Sequence, residues 1–420
     1  MFSLIRKILQ VHCNVNVIAA SAQRIQIVKK CTNQSYHHLT IKQNCEEIST
    51  REQKRLLNKF QRTLTTLSNQ FVSVPAHLTM SKDDTRDFEA TFPDIIHDLT
   101  NAVKSYQTPE AAEWYGKALQ YNLPRGKKTR GLLTVLTYKN LVKPEERSPE
   151  NLKLANYLGW CIEMVQCFFI MFDDIMDNST TRRGQLCWHK LEDVGLIAIN
   201  DALMIESGIY ALLRKHFRHL DCYIDLIELF TEATFITTSG QALDVLNASK
   251  NVSEFTIDKY DTVVRNKTSY YTFYFPVAAA LHLAGVKDPE VFRECKIILL
   301  EMGHFFQVQD DFLDCYGNPD ITGKLGTDIQ DNKCSWLAVM CMQRANAAQK
   351  ALMAECYGQN DPDKVSRIKQ LYEELNIADI YAKYEEESYN LIKEHIQRSS
   401  RGIPQEIFIH ILNKIHHRDA

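Results

Sequence analysis

Residues 166–188 read QCFFIMFDDIMDNSTTRRGQLCW, and residues 305–337 read FFQVQDDFLDCYGNPDITGKLGTDIQDNKCSWL. Each segment contains the pattern DDxxD shortly after a run of apolar residues. On a helix, the first and last aspartates of this pattern lie four residues apart and project from the same face. The apolar runs predict buried helices, so both acidic faces are expected close to the protein interior.

The two motifs bring six carboxylates toward that interior. They are Asp173, Asp174 and Asp177 in the first motif and Asp310, Asp311 and Asp314 in the second. An unpaired buried charge is strongly unfavourable, and hard divalent ions with oxygen ligands offset it well. Mg²⁺ also keeps coordination positions that substrate phosphates fill. A single motif of this kind commonly lies on a solvated surface. Two copies, each following an apolar run, predict a Mg²⁺–diphosphate site between facing helices.

Basic residues that could hold a diphosphate lie near these motifs. They are Arg182 and Arg183 before Gly184, Lys127 and Arg130 in RGKKTRG (residues 125–131), Lys267, Lys324 and Lys333. Guanidinium groups bind phosphate oxygens in bidentate fashion, and lysines act as point charges. A single basic residue is commonly a solvated surface charge, whereas this grouping favours an anion site.

The rest of the chain is predicted to be helical. Only 15 Gly and 11 Pro occur in 420 residues, which disfavours a turn-rich all-β fold. Val365, Ile368, Leu371, Tyr372 and Leu375 recur at helical spacing, as a buried helix face requires. The sequence therefore predicts one all-α domain over residues 80–420.

The first 45 residues differ from the rest, with six Lys and Arg and no acidic residue. This composition is typical of a mitochondrial transit peptide, and a basic disordered arm is the alternative. We expect residues 1–45 to direct the protein to the mitochondrial matrix, with the cytoplasm as second choice and the cleavage site open up to residue 80. Loss of these six positive charges changes the net charge from −3 to −9, which argues against nucleic acid as a partner.

Two further classes are disfavoured by the sequence. The apolar runs in the sequence are shorter than the roughly 18 residues that span a bilayer, so no transmembrane segment is expected. The twelve cysteines form no CxxC pair, which favours free thiols in a reducing compartment over a disulfide framework.

The two quoted segments and RNKTSYYTFYFPVAAAL (residues 265–281) resemble the trans-isoprenyl diphosphate synthase family, which includes the farnesyl diphosphate synthases. The resemblance covers about residues 85–420. It implies an all-α domain around a central cavity, a homodimer, and a cluster of about three Mg²⁺ ions. The implied reaction condenses dimethylallyl or geranyl diphosphate with isopentenyl diphosphate to give farnesyl diphosphate.

The resemblance also assigns roles by motif position. Metal would be bound by Asp173, Asp177 and Asp310, with Asp174, Asp311 and Asp314 in support. The allylic diphosphate would be held by Arg182, Lys267 and Lys324, with Lys333 close by. Isopentenyl diphosphate would be held by Lys127, Arg130, Gln166 and Arg183. The side chains facing the allylic carbocation would be Thr268 and Gln307.

Product length is expected to depend on Phe169, one helical turn before Asp173, with Phe168 beside it. Large aromatics there resemble an arrangement that stops the chain at C15, although both rings could simply be packed between helices. The sequence differs from the family pattern at several positions: Arg125, Thr129, Phe172, His304 and the weakly basic tail KIHHRDA. Phe172 keeps a C10 product open.

Alternative functions are a geranyl diphosphate synthase, a terpene synthase derived from the same scaffold, and a non-catalytic helical subunit. The isopentenyl-binding set argues against the terpene synthase, because a lyase has no use for those cations. The two intact acidic motifs argue against the non-catalytic subunit.

Overall fold

The computed structural model describes residues 82–322, 326–399 and 402–416, which are folded almost entirely into helices, as the sequence predicts. Residues 1–45, the predicted leader, lie outside the described residues. The α-helices are α1 (Lys82–Ala90), α2 (Phe92–Lys104), α3 (Pro109–Asn122), α4 (Thr129–Leu141), α5 (Pro149–Met176), α6 (Ala198–Phe217), α7 (Tyr223–Ala248), α8 (Ile257–Val264), α9 (Phe275–Leu283), α10 (Pro289–Tyr316), α11 (Pro319–Thr322), α12 (Trp336–Arg344), α13 (Ala347–Cys356), α14 (Pro362–Glu374), α15 (Ile377–Arg398) and α16 (Gln405–Ile415). Single 3₁₀ turns are formed by Pro144–Glu146, Trp188–Lys190, Gly195–Ile197 and Val252–Glu254.

The two long helices α5 and α10 carry the acidic motifs near their C-terminal ends. Both begin with a side-chain cap followed by proline: Ser148 accepts from the Asn151 amide, and Asp288 accepts from the Glu290 amide. Helix α5 is buried on every side over residues 155–168. Because the C-terminal end of a helix carries partial negative charge, aspartates there are unfavourable without a cation nearby.

A π-helical segment, Arg265–Tyr274, joins α8 to α9 and was not predicted from the sequence. Two glycines allow this wider helix to approach its neighbours. A Cβ at Gly240 of α7 would overlap the backbone of Lys267, and a Cβ at Gly303 of α10 would overlap Ser269. The segment is thereby held closely between α7 and α10. Irregular helix of this kind is frequently found at functional sites.

A short hairpin follows α5, although no strand was expected. Strand β1 (Thr181–Arg182) pairs antiparallel with β2 (Gln185–Leu186). The turn residues Arg183 and Gly184 both have positive φ, 54° and 74°, as in the tight turns that match strand twist. The hairpin therefore fixes the directions of the arginines in this loop.

Two described helical stretches are long and apolar enough to cross a bilayer by length and composition, contrary to the estimate from sequence. In Pro149–Met176, 78% of the 18-residue apolar stretch is buried inside the protein. In Gly195–Phe217, 44% of the corresponding stretch is buried. The core helix of a globular protein passes the same test, and α5 and α6 contact each other extensively. Every cysteine among the described residues is free, as predicted.

Candidate active site

The middle aspartate of each motif is buried and held by protein donors. Asp174 is 4% exposed and accepts from Arg182 Nε and Nη2 at 2.8 and 2.6 Å. Asp311 is 6% exposed and accepts from the Trp336 amide at 2.8 Å and from Gln307 Nε2 at 2.9 Å. Burial raises the pKa of Asp311. Both middle carboxylates therefore orient neighbouring groups, and their supporting role in metal binding stays a prediction.

The outer aspartates of the first motif are held less tightly. Asp173 lies 3.2 Å from Gln241 Nε2 and 3.4 Å from Lys267 Nζ. The Asp177 side chain is 27% exposed and lies 3.5 Å from Lys333 Nζ. Burial and the nearby charge of Asp173 raise the pKa of Asp177, as expected when two carboxylates share one site. Asp173 and Asp177 thus retain oxygen atoms that a cation could bind.

The outer aspartates of the second motif, Asp310 and Asp314, are half-buried. Asp314 Oδ2 accepts from the Asp328 amide at 3.0 Å, which fixes the chain that follows α11. Lys324, predicted to bind the allylic diphosphate, lies outside the described residues. The two motifs thus share one arrangement, with a buried middle carboxylate between two that are more exposed.

Asp244 of α7 links the cations of the site and was missed from the sequence. It is 7% exposed, and its Oδ2 accepts from Lys267 at 2.6 Å and Lys333 at 3.2 Å. Burial by itself would raise the pKa of Asp244, but attraction to the two lysines outweighs this effect and lowers it. The pKa values of Lys267 and Lys333 are raised by the surrounding carboxylates despite burial. This cluster joins α7, the π-helical segment and the chain after α10.

The hairpin directs its two adjacent arginines to different places. Arg182 contacts Asp174 and Asp173 of the first motif. Arg183 donates to the backbone carbonyl of Arg125, and its guanidinium lies where a Cβ of Gly126 would be. Arg182 therefore belongs to the acidic cluster, and Arg183 belongs to the loop before α4. The binding of two different diphosphates by these residues stays a prediction.

A second group of cations surrounds Arg183. Arg130 Nη2 donates to Thr272 Oγ1 at 2.8 Å and Tyr271 Oη at 3.1 Å, and its guanidinium lies 4.6 Å from the Tyr271 ring centre. These partners are hydroxyls and an aromatic face rather than carboxylates. Burial lowers the pKa of Arg183, and the charges of Arg130 and Arg182 act in the same direction, against the opposing influence of Cys167 and Glu163. Cations that repel one another in this way favour a bound anion.

We assign Lys127 to this second group because it follows Gly126, which packs against Arg183. Burial lowers the pKa of Lys414 on α16, and the charge of Lys127 lowers it further, which links Lys414 to the same group. Within the described residues, Gln166 Oε1 and Arg130 Nε are buried without a hydrogen-bond partner. Lys414 was not predicted, because the sequence of the tail shows only a low content of basic residues. Residues 417–420 lie outside the described part.

Thr268 and Gln307 are joined to each other and to the second acidic motif. Thr268 Oγ1 donates to Gln307 Oε1 at 2.9 Å, and Gln307 Nε2 donates onward to Asp311. The Thr268 oxygen keeps its lone pairs because its proton is used in this bond. His304, also on α10, contacts Asp261 and Tyr384 at 2.9 and 2.8 Å. It therefore acts as an ordinary polar residue joining α8, α10 and α15.

The two phenylalanines before the first motif differ in burial. Phe168 is 2% exposed in the core, whereas Phe169 is half-buried. The Phe169 ring lies 4.3 Å from that of Phe168 and 5.5 Å, edge to face, from Tyr271. Phe169 therefore contacts the same tyrosine that supports Arg130.

Comparison with known proteins places this arrangement in a family. Residues 112–375 match the family model described as polyprenyl synthetase. The farnesyl pyrophosphate synthase of Murgantia histrionica is 43% identical over 381 residues, covering 87% of this chain and 94% of that protein. The farnesyl pyrophosphate synthase of Kluyveromyces lactis is 46% identical over 345 residues, covering 80% and 99%.

A solved structure leads to the same result. The farnesyl diphosphate synthase of T. Brucei complexed with risedronate superposes with a TM-score of 0.74 at 31% identity, covering 80% of this chain and 99% of that one. The residues that match the family model include both acidic motifs. The chain belongs to the polyprenyl synthetase family.

Proposed function

We propose that the chain is a farnesyl diphosphate synthase that adds isopentenyl diphosphate to dimethylallyl diphosphate and then to geranyl diphosphate. The observation that carries this proposal is the separation of Arg182 and Arg183. One joins a cluster of carboxylates and lysines suited to a metal-bound diphosphate, and the other joins cations suited to a second diphosphate. A terpene synthase, which uses one diphosphate, needs only the first cluster.

The metal is proposed to be Mg²⁺, in a cluster of about three ions. Mg²⁺ commonly binds one or two protein carboxylates and completes its shell with water and substrate phosphates. The outer carboxylates Asp173, Asp177 and Asp310 fit this requirement, since they are less buried than the middle aspartates of the two motifs. Bound Mg²⁺ would supply Lewis-acid stabilisation of charge on the allylic diphosphate.

The chain's own residues would act on both substrates. Arg182, Lys267 and Lys333 would stabilise the negative charge that develops on the leaving diphosphate as the allylic C1–O bond breaks. The isopentenyl double bond then forms the new C–C bond, and the proton lost from the adduct goes to the departing diphosphate. Thr268 Oγ1, with free lone pairs, would stabilise the allylic cation.

Product analysis tests this function. The purified protein is incubated with Mg²⁺, isopentenyl diphosphate and either dimethylallyl or geranyl diphosphate, and the products are identified by mass spectrometry. Farnesyl diphosphate from both allylic substrates is expected. Products that end at C10 would indicate a geranyl diphosphate synthase, and a hydrocarbon or alcohol would indicate a terpene synthase. A sample treated with a chelator should give no product.

We further propose a homodimer, because apolar side chains are exposed along one stripe of α7. Ile224, Phe235 and Leu246 are 60%, 74% and 58% exposed and recur every eleven residues, which is close to three helical turns. Exposed apolar surface of this kind commonly marks a protein–protein interface.

Phe235→Asp is expected to convert the dimer to a monomer, since a carboxylate would be desolvated at the interface. Light scattering after size-exclusion chromatography measures the mass. Tyr106→Asp is the matched control, because Tyr106 is similarly exposed at 72% but lies away from α7. A Phe235→Asp protein with unchanged mass would contradict this interface.

Residues 1–45 are proposed to be a mitochondrial targeting leader. Fused to a fluorescent protein, they are expected to direct it to mitochondria, because they are basic and lack acidic residues. Imaging with a mitochondrial marker gives the result, and a fusion with all six basic residues changed to Gln serves as control. A diffuse cytosolic signal from the unchanged leader would support the cytoplasmic alternative.

A further inference from the structure

The loop between α3 and α4 has an unusual backbone at Lys128. Its φ and ψ are 48° and 33°, in the left-handed region that a non-glycine residue rarely occupies. Gly126, two residues earlier, also has a positive φ of 100°. The flanking residues Lys127 and Arg130 belong to the second group of cations. The conformation of this loop therefore decides where those two cations point.

An ion pair holds Lys128 in this conformation. Its Nζ lies 3.1 Å from Glu89 Oε1 of α1, and the Lys128 side chain is only 10% exposed. The side chain of Lys128 is thus directed toward α1. At the other end of the loop, Arg183 donates to the Arg125 carbonyl. The loop is fixed at two points, one from α1 and one from the hairpin.

Helix α1 can serve as an anchor because the residue before Glu89 is packed rigidly. Phe88 is fully buried, and its ring occupies the space where Cβ atoms of Gly131 and Gly159 would lie. The ring is stacked on Trp160 at 4.7 Å, and Trp160 Nε1 donates to the Phe88 carbonyl at 2.9 Å. The backbone of this turn of α1 therefore has a fixed position relative to α4 and α5, and the Glu89 side chain, 53% exposed, extends from it.

We propose that Glu89 is a positioning residue for isopentenyl diphosphate: through Lys128 it holds the loop so that Lys127 and Arg130 face the second diphosphate. The inference rests on the proposed function, since it takes this cation group as the isopentenyl site. Without the pair, Lys128 is free to leave the left-handed conformation, and the directions of its neighbours change with it.

The test uses Glu89→Gln in the full-length chain. KM for isopentenyl diphosphate is expected to rise about three- to fivefold, the scale of one partly exposed ion pair, while kcat and KM for geranyl diphosphate stay within about twofold. Asp87→Asn is the matched control, because Asp87 lies on the same helix and, among the described residues, its side chain pairs within that helix, with Arg86 at 3.2 Å. A general loss of stability would lower the apparent kcat through the folded fraction and leave both KM values unchanged, so a selective rise in KM for isopentenyl diphosphate identifies positioning.

A double-mutant cycle with Lys128→Gln separates positioning from direct binding. If the two residues act as a pair, Lys128→Gln gives a similar rise and the double variant is no worse than either single variant. A larger effect of Lys128→Gln that adds to that of Glu89→Gln would mean that Lys128 binds the substrate itself, which overturns the proposal. Unchanged or lower KM for isopentenyl diphosphate in Glu89→Gln also overturns it.

Failure of the proposed function gives a different result. In that case the unaltered protein forms no condensation product. If only the positioning role fails, the unaltered protein is active, and the Glu89 and Lys128 variants bind isopentenyl diphosphate as well as it does. Calorimetric titration with isopentenyl diphosphate provides a second readout that does not depend on turnover. A weaker affinity in Glu89→Gln, but not in Asp87→Asn, is expected there as well.

Discussion

Asp173→Ala and Asp310→Ala are each expected to lower kcat by about a thousandfold or more, because each removes a carboxylate proposed to bind the metal cluster. Both carboxylates are outer members of their motifs. The measurement is the initial rate of farnesyl diphosphate formation at saturating Mg²⁺ and substrates. Near-normal rates in either variant would exclude that aspartate as a metal ligand.

The Asp173→Ala variant is expected to remain folded. When Asp173 is removed, Arg182 still has Asp174 at 2.6 Å and Lys267 still has Asp244 at 2.6 Å, so neither half-buried cation loses all its partners. The repulsion between Asp173 and Asp177 also disappears, which favours an equal or higher unfolding temperature without metal.

A surface aspartate provides the control for Asp173→Ala. Asp225, also paired with a lysine, lies 2.8 Å from Lys287 Nζ with its side chain 37% exposed. Asp225→Ala should leave the rate unchanged. Equal losses of activity in Asp173→Ala and Asp225→Ala would point to a general effect of removing carboxylates rather than to the site.

The fold and the acidic motifs could be predicted from the sequence because they depend on local patterns. Apolar spacing indicated the helix that contains Ile368, Leu371 and Tyr372, and these residues are buried in α14. The DDxxD motifs were recognisable because they occur twice, each near an apolar run. Helix and motif both depend on residues within a few turns of one another.

The rest of the site depends on contacts between distant segments. Asp244 is one of four acidic residues in α7, and nothing in the local sequence indicates that Lys267 and Lys333 meet it. Lys414 has significance only because α16 brings it near Lys127. The π-helical segment depends on the absence of side chains at Gly240 and Gly303, on two other helices. Such features need the three-dimensional arrangement.

Phe169→Ala is expected to lengthen the product to C20 or more. Phe169 lies one turn before Asp173 on the same face of α5, so a chain that grows away from a diphosphate bound at Asp173 would meet this ring. Each added isoprenoid unit needs a depth comparable to one helical turn, about 5.4 Å, and removing the ring opens space of that order. The product profile is measured by mass spectrometry.

Phe168→Ala is the matched control for Phe169→Ala, because the two rings touch but differ in burial. Full truncation of a packed phenylalanine costs about 3–5 kcal/mol, and the cost is smaller where the ring borders open space. Phe168, 2% exposed, should therefore lose more stability and change the product less than the half-buried Phe169. The comparison separates a ring that limits the chain from one that only fills the core.

The contact of Phe169 with Tyr271 adds a second consequence. Tyr271 supports the Arg130 guanidinium, so loss of the Phe169 ring would let the tyrosine shift and raise KM for isopentenyl diphosphate modestly. The longer product should appear even when that substrate is saturating, because the change in length comes from space and not from affinity. A folded Phe169→Ala protein that still stops at C15 under saturating substrate would mean that this ring is core packing, and that Phe172 or a residue on another helix limits the chain.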